Sequence, residues 1–182
     1  MLLLRACLRR AAPVALMAFA LASPLAQSAD PCDGFTWPVA PERELFAGRG
    51  IVVAAARDAD TAPVIDASRL YTVRLATEPR VSFVVAPSKN QISDAAHAGI
   101  VRFEIRQPGR YRVSASDEIW IEIIVDGQLV PSRDFHGIQG CTTPHKIVEY
   151  DLPRAGVYLL QLNGSMQQSV GVTLTPAPSV GD

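Results

Sequence analysis

The chain has 182 residues, a formal charge of −1 and 19% charged side chains, which suits one globular domain rather than a basic nucleic-acid binder or a disordered tail. The first 28 residues carry Arg5, Arg9 and Arg10 and no acid, so their removal would take the formal charge from −1 to −4. A mildly acidic protein lacks the cationic face that phosphate neutralisation needs, and no nucleic-acid partner is expected.

Those opening residues read as a secretory signal peptide, residues 1–28. The arginines precede an apolar run from Ala11 to about Leu25, and Ala26 and Ser28 stand where a signal peptidase reads small residues. Cleavage after Ser28 is expected, with Ala22 as the alternative. Pro13 and Pro24 interrupt the run, and it falls short of the ~20 apolar residues of a membrane span. No membrane span is expected after cleavage, and the destination is the periplasm or the medium. Cleavage also removes Cys7 and leaves Cys32 and Cys141, an even count that reads as one disulfide in an oxidising compartment.

Residues 29–49 form an N-terminal segment in which Pro41 and Glu42 open a short helix over 42–47. Residues 50–176 read as the folded domain, and 177–182 as a frayed tail. Within the domain, apolar residues recur with a period of two, the mark of half-buried strands. Early strands are predicted at 51–56, 69–75 and 81–85, and the polar stretch 87–99 reads as a surface loop. Val101, Phe103 and Ile105 then alternate with Arg102, Glu104 and Arg106, and Tyr111, Val113 and Ala115 follow a Pro-Gly turn. Ile119, Ile121, Ile123 and Val125 share one face, and Asp126-Gly127 is a strong hairpin signal because both turn positions need positive φ. Val148, Tyr150 and Leu152, then Tyr158, Leu160 and Leu162, then Val170, Val172 and Leu174 complete the series. FEIRQPGRYRVSA and YDLPRAGVYLLQL align without a gap, so that Gly109-x-Tyr111 matches Gly156-x-Tyr158, as expected of two similar hairpins. The predicted fold is all-β: a single antiparallel β-sandwich, jelly-roll or immunoglobulin-like, with a short N-terminal helix.

GRYRVSASDEIWIEIIVDG, followed by DLPRAGVYLLQLNGS, resembles the sandwich pattern of bacterial pre-peptidase C-terminal domains over residues 99–176. That resemblance implies a secreted accessory or binding module. CDGFTWPVAPERELFAG together with GCTTPHKIVEYDLP is similar to a group of short, uncharacterised exported bacterial proteins. This second likeness carries an association with a homogentisate dioxygenase label, which would imply a metal-dependent oxygenase.

The residues weigh against that chemistry. DFHGIQGCTTPH, residues 134–145, offers His136, His145 and Asp134 around Cys141. A non-haem iron site takes two histidines and a carboxylate on one face, and a zinc site favours close ligand pairs. The histidines and the cysteine are spaced five and four apart, with no His-x-His in the chain. A cysteine nucleophile needs an unpaired thiolate, and no Gly-x-Ser-x-Gly elbow or phosphate loop is present. The loop is expected to be anchored by the Cys32–Cys141 bridge, with no catalytic residue, no metal and no cofactor.

The outward face of the later strands is the candidate binding surface. Trp120 faces away from the core with Arg102, Arg106 and Arg112 on neighbouring strands, a set that would stack a sugar or grip an anion. The competing reading is that the N-terminal segment, with Phe35 and Trp37, covers Trp120. The expected role is a non-catalytic binding or accessory protein of the bacterial envelope, acting on a protein partner or an envelope glycan. The alternatives are the oxygenase and a purely structural envelope protein.

Overall fold

A computed structural model describes residues 30–89 and 93–178, so the predicted signal peptide and the end of the tail lie outside the described residues. Twelve strands run in chain order: β1 Ile51–Ala54, β2 Val64–Ile65, β3 Leu70–Arg74, β4 Ala76–Thr77, β5 His97–Ile105, β6 Gly109–Ala115, β7 Trp120–Val125, β8 Gln128–Val130, β9 Ser132–Gly137, β10 Lys146–Leu152, β11 Gly156–Ser165 and β12 Ser169–Pro176. Among the described residues one α-helix, α1 (Ala40–Phe46), precedes them, with Pro41 in its first turn as its fixed φ favours. No helix among the described residues is long and apolar enough to cross a membrane.

The strands form two sheets. The first has the order β1-β3-β12-β6-β10-β9, and the second β2-β5-β11-β7-β8 with β4 also on β5. The core between them is built from the apolar alternation. Val101 and Phe103 of β5, Val113 and Ala115 of β6, Ile123 of β7 and Leu160 and Leu162 of β11 are fully buried in one cluster. Phe103 and Tyr158 stack with ring centroids 5.6 Å apart. Tyr150 crosses the layer and donates its hydroxyl to the Ile121 carbonyl at 2.8 Å. The matched hairpins have one cause: Tyr111 donates to the Gln107 carbonyl at 2.9 Å, and Tyr158 to the Arg154 carbonyl at 2.8 Å. Each tyrosine closes the turn that precedes it. Asp126 and Gly127 take positive φ, 51° and 73°, as their hairpin requires.

Four expectations are corrected. The sheets are mixed rather than wholly antiparallel, because β1 pairs with β3 and β2 with β5 in parallel. Parallel neighbours need a crossover: β1 reaches β3 through β2 of the opposite sheet, and β2 reaches β5 through β3 of the opposite sheet and then β4. The stretch 81–85 is no strand: the Val84 and Val85 amides donate to the side chain of Gln161 at 2.8 and 3.3 Å instead of to a ladder. The polar loop predicted to reach residue 99 stops earlier, since His97 opens β5 and pairs with Thr77, while Ala98 pairs with Ala76. The first third of DFHGIQGCTTPH is strand: residues 134–137 belong to β9, an edge paired with β10, and the loop begins at Ile138.

The outer faces of both sheets are overlaid. Residues 30–47 cross the first sheet, where Arg112 donates to the Pro38 carbonyl at 2.8 Å and Thr175 donates to the Glu42 carboxylate at 3.0 Å. Residues 57–63 and 81–89 cross the second, held by Arg102 on the Ala62 carbonyl and by Glu122 accepting from the Ser88 amide at 2.8 Å. This explains why Arg112, Glu122, Glu149 and Gln161, all at outward positions, are at most 5% exposed. Buried polar groups must be hydrogen-bonded; the covering segments supply partners for Arg112, Glu122 and Gln161, and Glu149 takes the Arg112 guanidinium of the neighbouring strand.

Candidate binding site

Trp120 leads off β7, opposite Asn163 of β11. Its indole N–H lies 3.0 Å from both Ser88 Oγ and Glu122 Oε1, which fixes the ring under the end of the 81–89 segment. The residue that covers the tryptophan is therefore not in the N-terminal segment. Phe35 and Trp37 lie on the other sheet, edge-on to His136 at 5.2 and 6.4 Å, and Trp37 lies under the Arg112 guanidinium at 4.9 Å.

Two ammonium groups meet the indole. Lys146, the first residue of β10, reaches across from the opposite sheet and donates to the Ile119 carbonyl at 3.2 Å. Its Nζ lies 4.7 Å from the Trp120 ring centroid, and Lys89 Nζ lies 5.3 Å from it. These are the only two lysines in the chain, 57 positions apart, against fifteen arginines. The arginines take most of the structural ion pairs, including Arg112 with Glu149 and Glu42, and Arg133 with Asp151. Among the described residues neither lysine has a carboxylate in salt-bridge range. A guanidinium forks onto planar carboxylates, whereas an ammonium is a point charge whose pKa moves readily on burial. Burial pushes the Lys146 ammonium below the ordinary lysine range, the Lys89 charge adds to the shift, and Glu118 opposes it.

Beside the indole lies a cavity of about 30 Å³ lined by Lys89, Glu118, Ile119, Trp120, Lys146 and Asn163. Asn163 is 1% exposed, and its Oδ1 has no hydrogen-bond partner among the described residues. Next to the cavity, Phe135 on the edge strand β9 is 65% exposed, and its ring centroid lies 5.9 Å from Lys146 Nζ. Two ammonium groups and two aromatic rings meet here, with the Glu118 carboxylate in the cavity lining and the Glu122 carboxylate on the indole N–H.

The structure does not gather the four residues grouped from sequence. Arg112 belongs to the first sheet and is sealed beneath residues 30–47. Arg102 is spent on the carbonyls of Ala62 and Asp60. Arg106 is exposed past the far end of β5, beside Asp66 and Glu104 and away from Trp120. Of the four, only Trp120 lies at the cavity, where its neighbours are Lys89, Lys146 and Asn163; the scarcity of lysine is the one sequence signal that marks two of them.

Cys32 and Cys141 stand at disulfide distance, with Cα atoms 5.0 Å apart. His136 and His145 do not converge with Asp134. His136 faces Thr36 and Phe35, the Asp134 carboxylate accepts from the Phe135 amide, and no three metal-ligating side chains cluster among the described residues. No family model matches the chain, and no curated protein matches it.

Proposed function

We propose that this protein is an exported, non-catalytic binding or accessory module of the bacterial envelope, and that the end of the sandwich around Trp120 is its binding surface. One observation carries the reading: both lysines of the chain converge on one indole, with no carboxylate in salt-bridge range among the described residues, beside an exposed phenylalanine. Holding two like charges together in a partly buried place costs stability, and an anionic partner would relieve that cost. Export is supported by the arginine-led apolar run that ends in Ala26 and Ser28, and by the cysteine pair at disulfide distance. A sandwich of immunoglobulin-like or jelly-roll type is supported by the two tyrosines that close their own turns, a device of immunoglobulin-like domains. The likeness to pre-peptidase C-terminal domains points the same way.

The test is co-sedimentation of the mature protein with purified cell envelopes, with cross-linking to capture any protein partner. The expected result is retention by envelopes that weakens in Lys89→Met and Lys146→Met. Protein that stays in the supernatant and cross-links to nothing, or variants that bind as well as the parent, would overturn the proposal.

A further inference from the structure

We infer that the cavity beside Trp120 is a carboxylate pocket for an acidic sugar of the uronate class, with Lys89 and Lys146 gripping the carboxylate and Phe135 carrying the ring. The inference rests on the binding-module reading and names the ligand of that same site.

The cavity, about 30 Å³, is roughly the space of one or two water-sized atoms, which suits the two oxygens of a carboxylate. Two ammonium groups line it from opposite sides of the fold, one from the 81–89 segment and one from β10. Glu118 and Asn163 are the other two polar side chains of the lining, and the buried Asn163 amide has an atom without a partner among the described residues. Which amide atom is oxygen is set by the surrounding hydrogen bonds, and turning the amide presents N–H donors from the same place. A bound carboxylate oxygen would then accept from Asn163 as well as from the lysines.

A sugar is favoured over an acidic peptide by the neighbouring surface. Lys146 lies between the Trp120 and Phe135 rings, 4.7 and 5.9 Å from their centroids. The Trp120 ring is occupied by ammonium groups, but Phe135 is open to solvent on an edge strand. A carboxylate attached directly to a pyranose ring holds that ring one bond from the carboxylate the lysines grip, within reach of the open phenylalanine. The other ionisable group lining the pocket is Glu118, and the buried Glu122 lies behind the indole with its Oε1 held by Trp120 and Ser88.

With only two lysines, the test can be read directly. Reductive ¹³C-methylation labels Lys89, Lys146 and the N-terminus, and the dimethylamino signals are followed by NMR during titration with D-glucuronate, D-glucose, acetate and a glutamate-rich peptide. Glucuronate is expected to move both lysine signals and to raise the Lys146 titration midpoint, because an anion favours the ammonium form. Glucose should move neither, and acetate and the peptide should act only at much higher concentration. Lys146→Met, which keeps the apolar stem, should weaken glucuronate by about ten- to a hundred-fold, the loss expected for one charge-assisted hydrogen bond. Its thermal unfolding should remain a single cooperative transition, which separates lost binding from lost folding. Unmoved lysine signals in glucuronate would overturn the pocket, and an equal response to acetate or the peptide would overturn the sugar. In either case continued retention by envelopes would leave the broader reading standing, so the two failures are distinguishable.

Discussion

Replacing Arg112 with methionine tests whether residues 30–47 are pinned to the first sheet by a buried ion network. The Arg112 side chain is 6% exposed, Glu42 1% and Glu149 7%. Arg112 Nε donates to Glu149 Oε2 at 3.0 Å, and Nη1 lies 3.6 Å from Glu42 Oε1. The two acids are not equally dependent on it. Glu149 keeps Arg110 at 3.4 Å and Arg133 at 3.7 Å, whereas Glu42 keeps only the Thr175 hydroxyl, and its Oε2 has no partner among the described residues. The substitution therefore strands one fully buried carboxylate. Breaking a buried pair in this way costs about 3–5 kcal/mol, a large share of the ~5–15 kcal/mol that stabilises a domain. In a Glu42→Gln background the stranded charge is gone. Arg112→Met should then cost about 1–2 kcal/mol, mainly the hydrogen bond to Pro38 and the weakened hold on Glu149. The difference, about 2–3 kcal/mol, is the coupling between the two positions. Urea unfolding of the parent, both single variants and the double variant measures it, with intact mass confirming an unchanged cysteine state. Equal cost of Arg112→Met in both backgrounds would refute the network and the docking of residues 30–47 through it.

Cys32→Ser and Cys141→Ser should each lower stability by about 2–4 kcal/mol, the usual worth of a bridge, here one between cysteines 109 positions apart. Urea unfolding should show equal losses, and a reductant should weaken the parent but neither variant; unequal losses would contradict a single bridge. Tyr111→Phe and Tyr158→Phe should each cost about 0.5–1.5 kcal/mol, one hydrogen bond to the turn carbonyl four residues upstream. Thermal unfolding checks this pair, and a loss confined to one variant would show that the matched hairpins do not share a device.

The strands were legible because a period of two is a local property of the chain. Val101, Phe103 and Ile105 point inward in the structure as their spacing requires, and Asp126-Gly127 turns the hairpin as its φ requirement demands. The stretch 81–85 misled for a local reason too. SFVV has strand composition, but composition does not say whether a neighbouring strand or a glutamine side chain takes up its amides. Outward positions misled because alternation separates core from not-core and is silent on what overlies the second face. Arg112 and Arg106 look alike in sequence, yet one is sealed against Glu42 and Trp37 and the other stands in solvent.

The sequence by itself determined the all-β class, the inward face of the later strands, the helix at Pro41 and the pairing of Cys32 with Cys141. Each follows from short-range periodicity, fixed backbone preferences or simple parity. Only the tertiary structure decided that the sheets are mixed, that covering segments bury a polar outer face, and that Lys89 meets Lys146 over Trp120. Those outcomes depend on residues far apart in the chain being brought together by the packing of two sheets, and no local pattern records which distant segment arrives.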